Sequence, residues 1–463
     1  MNFTPIVAKP FVIDEALAEL LASRAAAVAE ATGEPRFGEM LLAQMRDTLE
    51  KTINVAEDGT TFVITGDIPA MWLRDSTTQM LPFMRLVDAH EGLREMVRGL
   101  LERQFRYILH DPYANAFNES ANGNAWHAGD IDPDPWLWER KFELDSLAFP
   151  VQLAHQYYQA TGSLDFLTPD VFAAFRLIVD TLTLEQRHEE NSHYRFIREM
   201  DLVTETLGRD GRGTPVGYTG MAWAGFRPSD DACTYHYNIP GNLLAALALD
   251  YIAEFAELSA ASSAASGAAS SAASGADGPI ADENLARGAR RLAKEIRAGV
   301  ERFGVVEHPE FGRILAYEVD GLGNTLLMDD ANMPSLLSLP MTSTVSADDS
   351  LYRNTRAFVL SDSNPYFVRG SVAEGMGSPH TPAGYIWHIA LAVQALTLPR
   401  DGLGQQERRE EQLRIARVMA ATDAGTGLMH EGFDANDPTQ FTRAWFSWAN
   451  SMFCELLLTL TDP

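Results

Sequence analysis

The sequence predicts a mostly α-helical protein of about a dozen helices, and three observations predict it. Apolar residues recur every three to four positions along segment after segment. Strand-like runs are few and short, and the stretches between helices are polar, aromatic and rich in turn residues. Helices that bury one face and are joined by such loops can form a closed ring of helical hairpins, although no repeat of fixed period marks one in this chain.

In chain order, helical patterning runs over Glu15–Val28 and Glu39–Thr52, and a strand follows at Thr61–Thr65. Leu93, Met96, Val97, Leu100, Leu101, Phe105 and Ile108 then share one helical face. Helices are expected at Leu144–Thr161 and Val171–Gln186, and again where Leu244, Leu247, Tyr251, Phe255 and Leu258 align in a helix through Tyr235–Tyr251. Glu283–Phe303 is helical in pattern, whereas Ile314–Val319 and Thr325–Met328 read as strands. Helices return at Leu351–Leu360, Ile386–Leu396 and Gln406–Ala421, and Phe446, Phe453, Leu456, Leu457 and Leu460 mark a last one. Ser259–Gly278 is almost purely Ala, Ser and Gly, with no large side chain to anchor it. It reads as a flexible insertion in one domain spanning residues 1–463, because the helices on both sides have the same character; a linker between two domains is the alternative.

The chain has 463 residues, 46% of them hydrophobic, enough to bury a large core. Its formal net charge of −28 argues against nucleic acid or an anionic membrane as partner, since both need a basic face. Cys233 and Cys454 are the only cysteines, too few for a disulfide framework, so a reducing compartment is expected. The first residues carry no basic region followed by an apolar run, and no apolar stretch is long enough to span a bilayer. A cytoplasmic, soluble protein with no membrane partner is therefore expected.

The loops carry the chemistry. Gly220–Asn242 sets Asp230 and Asp231 beside Arg227, aromatics and turn residues just before an apolar helix, and Gly427–Pro438 sets His430, Glu431 and further carboxylates before another. Two such loops suggest a paired acid and base. In Thr65–Ser76, Arg74 and Asp75 can donate to and accept from a vicinal diol while Trp72 offers a platform for a sugar face; a loop-bracing ion pair is the plainer alternative, and Asp75 or Ser76 stands where it could cap the next helix. Trp136–Ser146 repeats the recipe with Glu139 and Lys141, and a salt-bridged surface explains that stretch equally well. Turn chemistry accounts for most of the Asp and Asn in Asp111–Asn118 and in Tyr317–Pro334, which includes Asn332; calcium is the rival, but no twelve-residue calcium loop is present. His380 lies in a tight loop, Gly375–Thr381. No phosphate-binding loop, dinucleotide fingerprint, zinc-ligand spacing or nucleophile elbow occurs, so neither a metal nor a cofactor is expected. Carboxylates, arginines, amides and tryptophans suit carbohydrate, where two carboxyl groups suffice for glycosidic cleavage.

The runs Thr65–Ser76, Trp138–Lys141, Gly225–Asp231, Met328–Leu337, Gly377–Pro382 and Met429–Phe433 closely resemble glycoside hydrolase family 125, in order, from about Gly38 onward. The resemblance implies an (α/α)6 barrel with a few short strands in its loops. It also implies an exo-acting alpha-mannosidase that removes terminal non-reducing alpha-1,6-linked mannose with inversion and without metal. The family's general acid, first aspartate of its Arg-Pro-Ser-Asp-Asp motif, matches Asp230, and its general base, the glutamate of Met-His-Glu, matches Glu431. Trp72, Arg74, Asp75, Glu139, Lys141, Arg227, Asp231, Asn332, His380 and His430 are the candidates for substrate contact. The expected partner is a mannose-containing oligosaccharide or N-glycan fragment. The chain departs from the family pattern in the Ser259–Gly278 segment and in Asn238–Gly241, neither of which removes a catalytic carboxylate.

An inverting glycosidase needs a protonated acid at the leaving oxygen and an ionised base across the ring. An ionised Asp231 would favour protonation of Asp230 and an adjacent Arg227 would oppose it; capping the helix through Tyr235–Tyr251 is the preferred role for Asp231. The alternatives are another helical-barrel carbohydrate enzyme, such as a glucoamylase-like hydrolase or a glycoside phosphorylase, and a catalytically silent glycan-binding barrel. No clustered basic motif supplies the phosphate pocket a phosphorylase needs.

Overall fold

Two kinds of helix alternate along the chain in the computed structural model, which describes residues 8–200, 202–265 and 283–461. Pro35–Lys51, Glu91–His110, Pro169–Glu185, Glu283–Gly299, Ser350–Val359 and Gln405–Ala421 are amphipathic and form an outer layer. Glu283–Gly299 buries Leu285, Ala289, Leu292 and Ile296, the stripe that helical periodicity demands when one face meets solvent. The inner helices are buried nearly all round: every residue from His388 to Val393, and every residue from Ser447 to Cys454, is inside.

The inner helices pack side by side in the order Ser447–Thr459, Leu73–Thr78 with the short Leu81–Met84, Leu144–Thr161, Ile239–Ala265 and Leu339–Thr342, with His388–Leu396 on the other flank of Ser447–Thr459. With the outer layer around them they make the (α/α)6 barrel. Distant stretches of the chain meet in this arrangement. Ser447–Thr459 rests on Pro35–Lys51, Thr48 and Ser447 share a hydroxyl hydrogen bond of 2.9 Å, and Arg36 pairs with Asp423 at 2.9 Å.

Small antiparallel sheets feed the inner helices at one end of the barrel. Met71–Trp72 pairs with Ala116–Phe117, which pairs with Leu137–Glu139; Tyr385–Trp387 pairs with Gly432–Asp434, which pairs with Phe441–Thr442. These registers bring Trp72, Glu139, Trp387 and the residue before Gly432, Glu431, to the same rim.

Several expected boundaries shift, each for a local reason. The helix expected from Ile386 starts at His388, because Ile386 and Trp387 are paired in a strand. The strand expected over Ile314–Val319 is two, Gly312–Leu315 and Glu318–Val319, with different partners. Glu283–Gly299 ends in a wider helical turn, Val300–Gly304, and the strand at Thr61 ends at Val63. Asp75 and Ser76 do not cap a helix; they lie inside Leu73–Thr78. Nor does Asp231: that helix begins at Ile239, and the Oδ1 of Asn238 accepts from the Gly241 N–H at 2.8 Å. Asn238→Ala is expected to lower stability by about 0.5–2 kcal/mol, read as a lower urea midpoint with an unchanged slope. The helix from Ile239 runs to Ala265, so the expected flexible insertion starts as helix; residues 266–278 lie outside the described residues.

Candidate active site

At the rim where the inner helices start lies a cavity of about 230 Å³. Trp72, Arg74, Asp75, Glu139, Lys141, Asp230, Asn332, His380 and Glu431 line it, so nine of the twelve residues singled out from the sequence converge. Arg227, Asp231 and His430 stand behind its wall. Arg227 donates to the Glu318 carboxylate at 2.6 Å and to Thr234 Oγ1 at 3.2 Å, bracing the loop that carries Asp230. Asp231 reaches His380 Nδ1 at 3.2 Å. His430 stacks on Phe441 with ring centroids 3.8 Å apart, while its backbone N–H donates to His388 Nδ1 at 3.0 Å and fixes the strand entry next to Glu431.

Asp230 has φ of 65°, in the left-handed region that non-glycine residues rarely occupy, and aspartate tolerates it better than most. The turn is held by the Arg227 N–H donating to the Asp231 carbonyl at 2.7 Å and the Asp230 N–H donating to the Arg227 carbonyl at 2.9 Å. One oxygen, Oδ1, accepts from Trp72 Nε1 at 3.3 Å, Arg74 Nη2 at 3.2 Å and Asn115 Nδ2 at 3.3 Å. Burial opposes the charge on Asp230, but Arg74, with Lys141 and His380 adding to it, holds it well below the usual carboxylate range. Neither neighbour weighed from the sequence decides this, because Arg227 is taken by Glu318 and Asp231 by His380.

Arg74 is the hub of the acid side. Its guanidinium meets Glu143 at 2.8 Å, Asp145 at 3.2 Å, Asp230 at 3.2 Å and Asp75 at 3.3 Å, all buried but the partly exposed Asp230, and lies over the Trp448 ring. One cation cannot compensate four anions. Burial accordingly pushes Asp75 and Asp145 up to about 6 in spite of Arg74, and raises Glu143 well above its ordinary value. Lys141 is held by Glu205 at 2.9 Å and Glu139 at 3.5 Å, and Arg198 backs both carboxylates at 2.6 and 2.8 Å.

On the far stretch of chain, Glu431 is 7% exposed and has Arg443 Nη1 at 3.9 Å. Arg443, also at positive φ (43°), is held by Asp67 at 2.5 Å and Thr65 Oγ1 at 2.9 Å and lies over Phe446. His380 is opposed by burial but raised to about 9 by the hydrogen bond and charge of Asp231, with Glu431 and Asp230 adding to it. Its folded value lies above the ordinary 6.5, so its contribution to stability is full below pH 6.5 and is lost as the pH rises through about 9. His380→Gln is expected to flatten that part of the Tm–pH curve; an unchanged curve would refute the coupling.

Sequence reading missed Trp126, Glu205, Trp387, Arg443, Phe446 and Trp448 in this wall. Phe446 read as an ordinary helix face, and Arg443 and Trp448 lay in an aromatic run, Arg443–Trp448, whose density of rings at the start of a buried helix was the available signal. The Asp- and Asn-rich loops are satisfied by turns: Asp320 Oδ1 accepts from the Leu322 and Asn324 N–H groups at 2.7 and 3.0 Å, and Asp329 from those of Leu336 and Leu337 at 2.8 and 2.9 Å. Among the described residues no group of three or more His, Cys, Asp or Glu could hold a metal ion. Chemically the cavity offers two carboxyl groups from distant loops, fixed cations beside each, and aromatic faces, the equipment for protonating one oxygen and deprotonating another at a sugar ring.

A family model for metal-independent alpha-mannosidases matches residues 34–458. The meiotically up-regulated gene 157 protein of Schizosaccharomyces pombe is 37% identical over 441 residues, which cover 90% of this chain and 81% of that one. A Streptococcus pneumoniae structure from a family of metal-independent alpha-mannosidases, in a non-productive complex with alpha-1,6-mannobiose, superposes with a TM-score of 0.87 at 41% identity, covering 99% of this chain and 100% of that one.

Proposed function

We infer the function of this chain from its membership: it belongs to glycoside hydrolase family 125, the metal-independent alpha-mannosidases. It is an exo-acting alpha-mannosidase that hydrolyses terminal non-reducing alpha-1,6-linked mannose from an oligosaccharide or N-glycan fragment, with inversion. The observation that carries the assignment of roles is that Asp230 and Glu431, from loops far apart in sequence, line one small cavity among aromatic rings. Asp230 protonates the leaving oxygen as the glycosidic bond breaks. Glu431 takes a proton from the water that attacks the anomeric carbon, with Arg443 Nη1 at 3.9 Å beside it. Trp72, Trp126 and Trp387 offer apolar faces to sugar rings, and Trp126, half exposed at the mouth, is placed for the leaving part of the substrate. We place the protein in the cytoplasm; both cysteines being free and buried supports a reducing compartment, and no helix among the described residues is long and apolar enough to cross a membrane.

A single displacement has one stereochemical outcome. Proton NMR during the first minutes of alpha-1,6-mannobiose hydrolysis is expected to show beta-mannose first, with the alpha anomer appearing only by mutarotation; alpha-mannose as the initial product would overturn the roles. Prolonged chelation is expected to leave the rate unchanged, and a loss restored by calcium would overturn the metal-free reading.

A further inference from the structure

The two carboxyl groups of the cavity are held in opposite ways. Asp230 Oδ1 accepts from Trp72, Arg74 and Asn115. Among the described residues nothing donates a hydrogen bond to the Glu431 carboxylate, and its ion pair with Arg443 spans 3.9 Å. A carboxylate that must accept from a water needs its lone pairs open, so its place has to be set through the main chain. That main chain is gripped on both sides. Ahead of Glu431, the Met429 N–H donates to Asn450 Oδ1 at 2.8 Å and the His430 N–H donates to His388 Nδ1 at 3.0 Å. Behind it, the Gly432 N–H donates to Thr442 Oγ1 at 3.1 Å, and Gly432 pairs with Trp387 across the small sheet. His388 opens the inner helix His388–Leu396 and Asn450 lies in the inner helix Ser447–Thr459; both side chains are fully buried.

The hydrogen bonds around His388 fix its tautomer. Thr422 Oγ1 has one hydroxyl proton, which goes to the carbonyls of Val418 and Met419 at 2.9 and 3.2 Å. Thr422 therefore accepts from His388 Nε2 at 3.0 Å, which puts the ring proton on Nε2 and leaves Nδ1 bare for the His430 N–H. A protonated ring would instead turn an Nδ1–H toward the His430 carbonyl, also 3.0 Å away, and leave the N–H without its acceptor. Burial works against that form and pushes His388 down to about 3. We propose that His388, with Asn450 as a second grip, positions the general base by holding the peptide groups ahead of Glu431 to the inner helices. This rests on Glu431 being the general base. His388 touches no reacting atom and acts only through the His430 peptide: it is a positioning residue. Loss of the grip lets the carboxylate drift from the attacking water, and a displacement of about 1 Å costs on the order of 10²-fold in rate.

His388→Leu removes the acceptor, whereas His388→Asn keeps an oxygen near the place of Nδ1. On alpha-1,6-mannobiose His388→Leu is expected to lower kcat on the order of 10²-fold with KM within about threefold, and His388→Asn to recover to within about tenfold of the wild type. The leucine variant is expected to lose as much on a dinitrophenyl alpha-mannoside, whose leaving group needs no proton but whose attacking water still needs the base. Wild-type kcat in His388→Leu, an equal loss in both variants, or a loss confined to the disaccharide would overturn the proposal. In a Glu431→Ala background, where azide replaces the activated water, adding His388→Leu is expected to change azide-supported turnover by less than about twofold; a further large loss would show a general disturbance instead. Should the leucine variant fail to fold, 15N NMR of the wild-type imidazoles decides, with the His388 signal assigned by its absence in His388→Asn: a neutral ring protonated on Nε2 is expected, and a proton on Nδ1 refutes the grip. Full activity in Glu431→Ala would remove the base itself, whereas an inactive Glu431→Ala beside a wild-type-like His388→Leu would remove only His388.

Discussion

Asp230→Asn is expected to lower kcat on alpha-1,6-mannobiose by about 10²–10⁴ while the protein stays folded and binds the disaccharide nearly as well. The loss is chemical: an amide has the shape of the acid but delivers no proton. Folding should tolerate the change because the site is over-supplied with anions. Arg74 faces Glu143, Asp145, Asp75 and Asp230 together, and removing one negative charge lets the other three use the guanidinium more fully. A Tm equal to or above that of the wild type is therefore the expected companion result. Near-normal kcat in the folded variant would move the acid to another residue of the cavity.

Glu431→Ala is expected to cost on the order of 10²–10⁴ in kcat as well, with a different signature. Azide attacks without having to lose a proton, and the space left by the side chain admits it, so added azide should restore turnover and yield beta-mannosyl azide. Formation of the alpha azide would mean that Glu431 stood on the wrong face. Arg443 supplies the control: it is anchored by Asp67 and Thr65 independently of Glu431, so the cation and the loop should persist in the variant.

The sequence carried the helices well where one face meets solvent, as in Glu283–Gly299, because burial then imposes a readable period. It was weakest at the rim. Strands of two or three residues such as Met71–Trp72 and Ala116–Phe117 exist only because a partner hundreds of atoms away in the chain pairs with them, and no local pattern announces that. The same limit applied to side-chain direction. Arg227, Asp230 and Asp231 are neighbours in one loop, yet the positive φ at Asp230 turns its carboxyl into the cavity while Arg227 goes to Glu318 and Asp231 to His380. Composition located the loop but could not say which of its charges faces inward. Glu143 stood in a stretch that a plain salt-bridged face explained equally well, and only the three-dimensional crowding at Arg74 separates it from its neighbours.

The seating of Ser447–Thr459 between the helices Leu73–Thr78 and Leu81–Met84 on one side and His388–Leu396 on the other sets an order on how the enzyme comes into being. Synthesis proceeds toward the C-terminus, so the inner helices through His388–Leu396 can assemble while Met80, Phe83, Ile389 and Val393, all buried in the finished protein, still await the segment that covers the gap. Contacts of such long sequence separation form slowly. Until Ser447–Thr459 is seated, apolar side chains that the finished protein buries stay open to solvent. Glu431 and Asp230 come to line one cavity only when that gap is covered, which makes the docking of Ser447–Thr459 the step that completes the site.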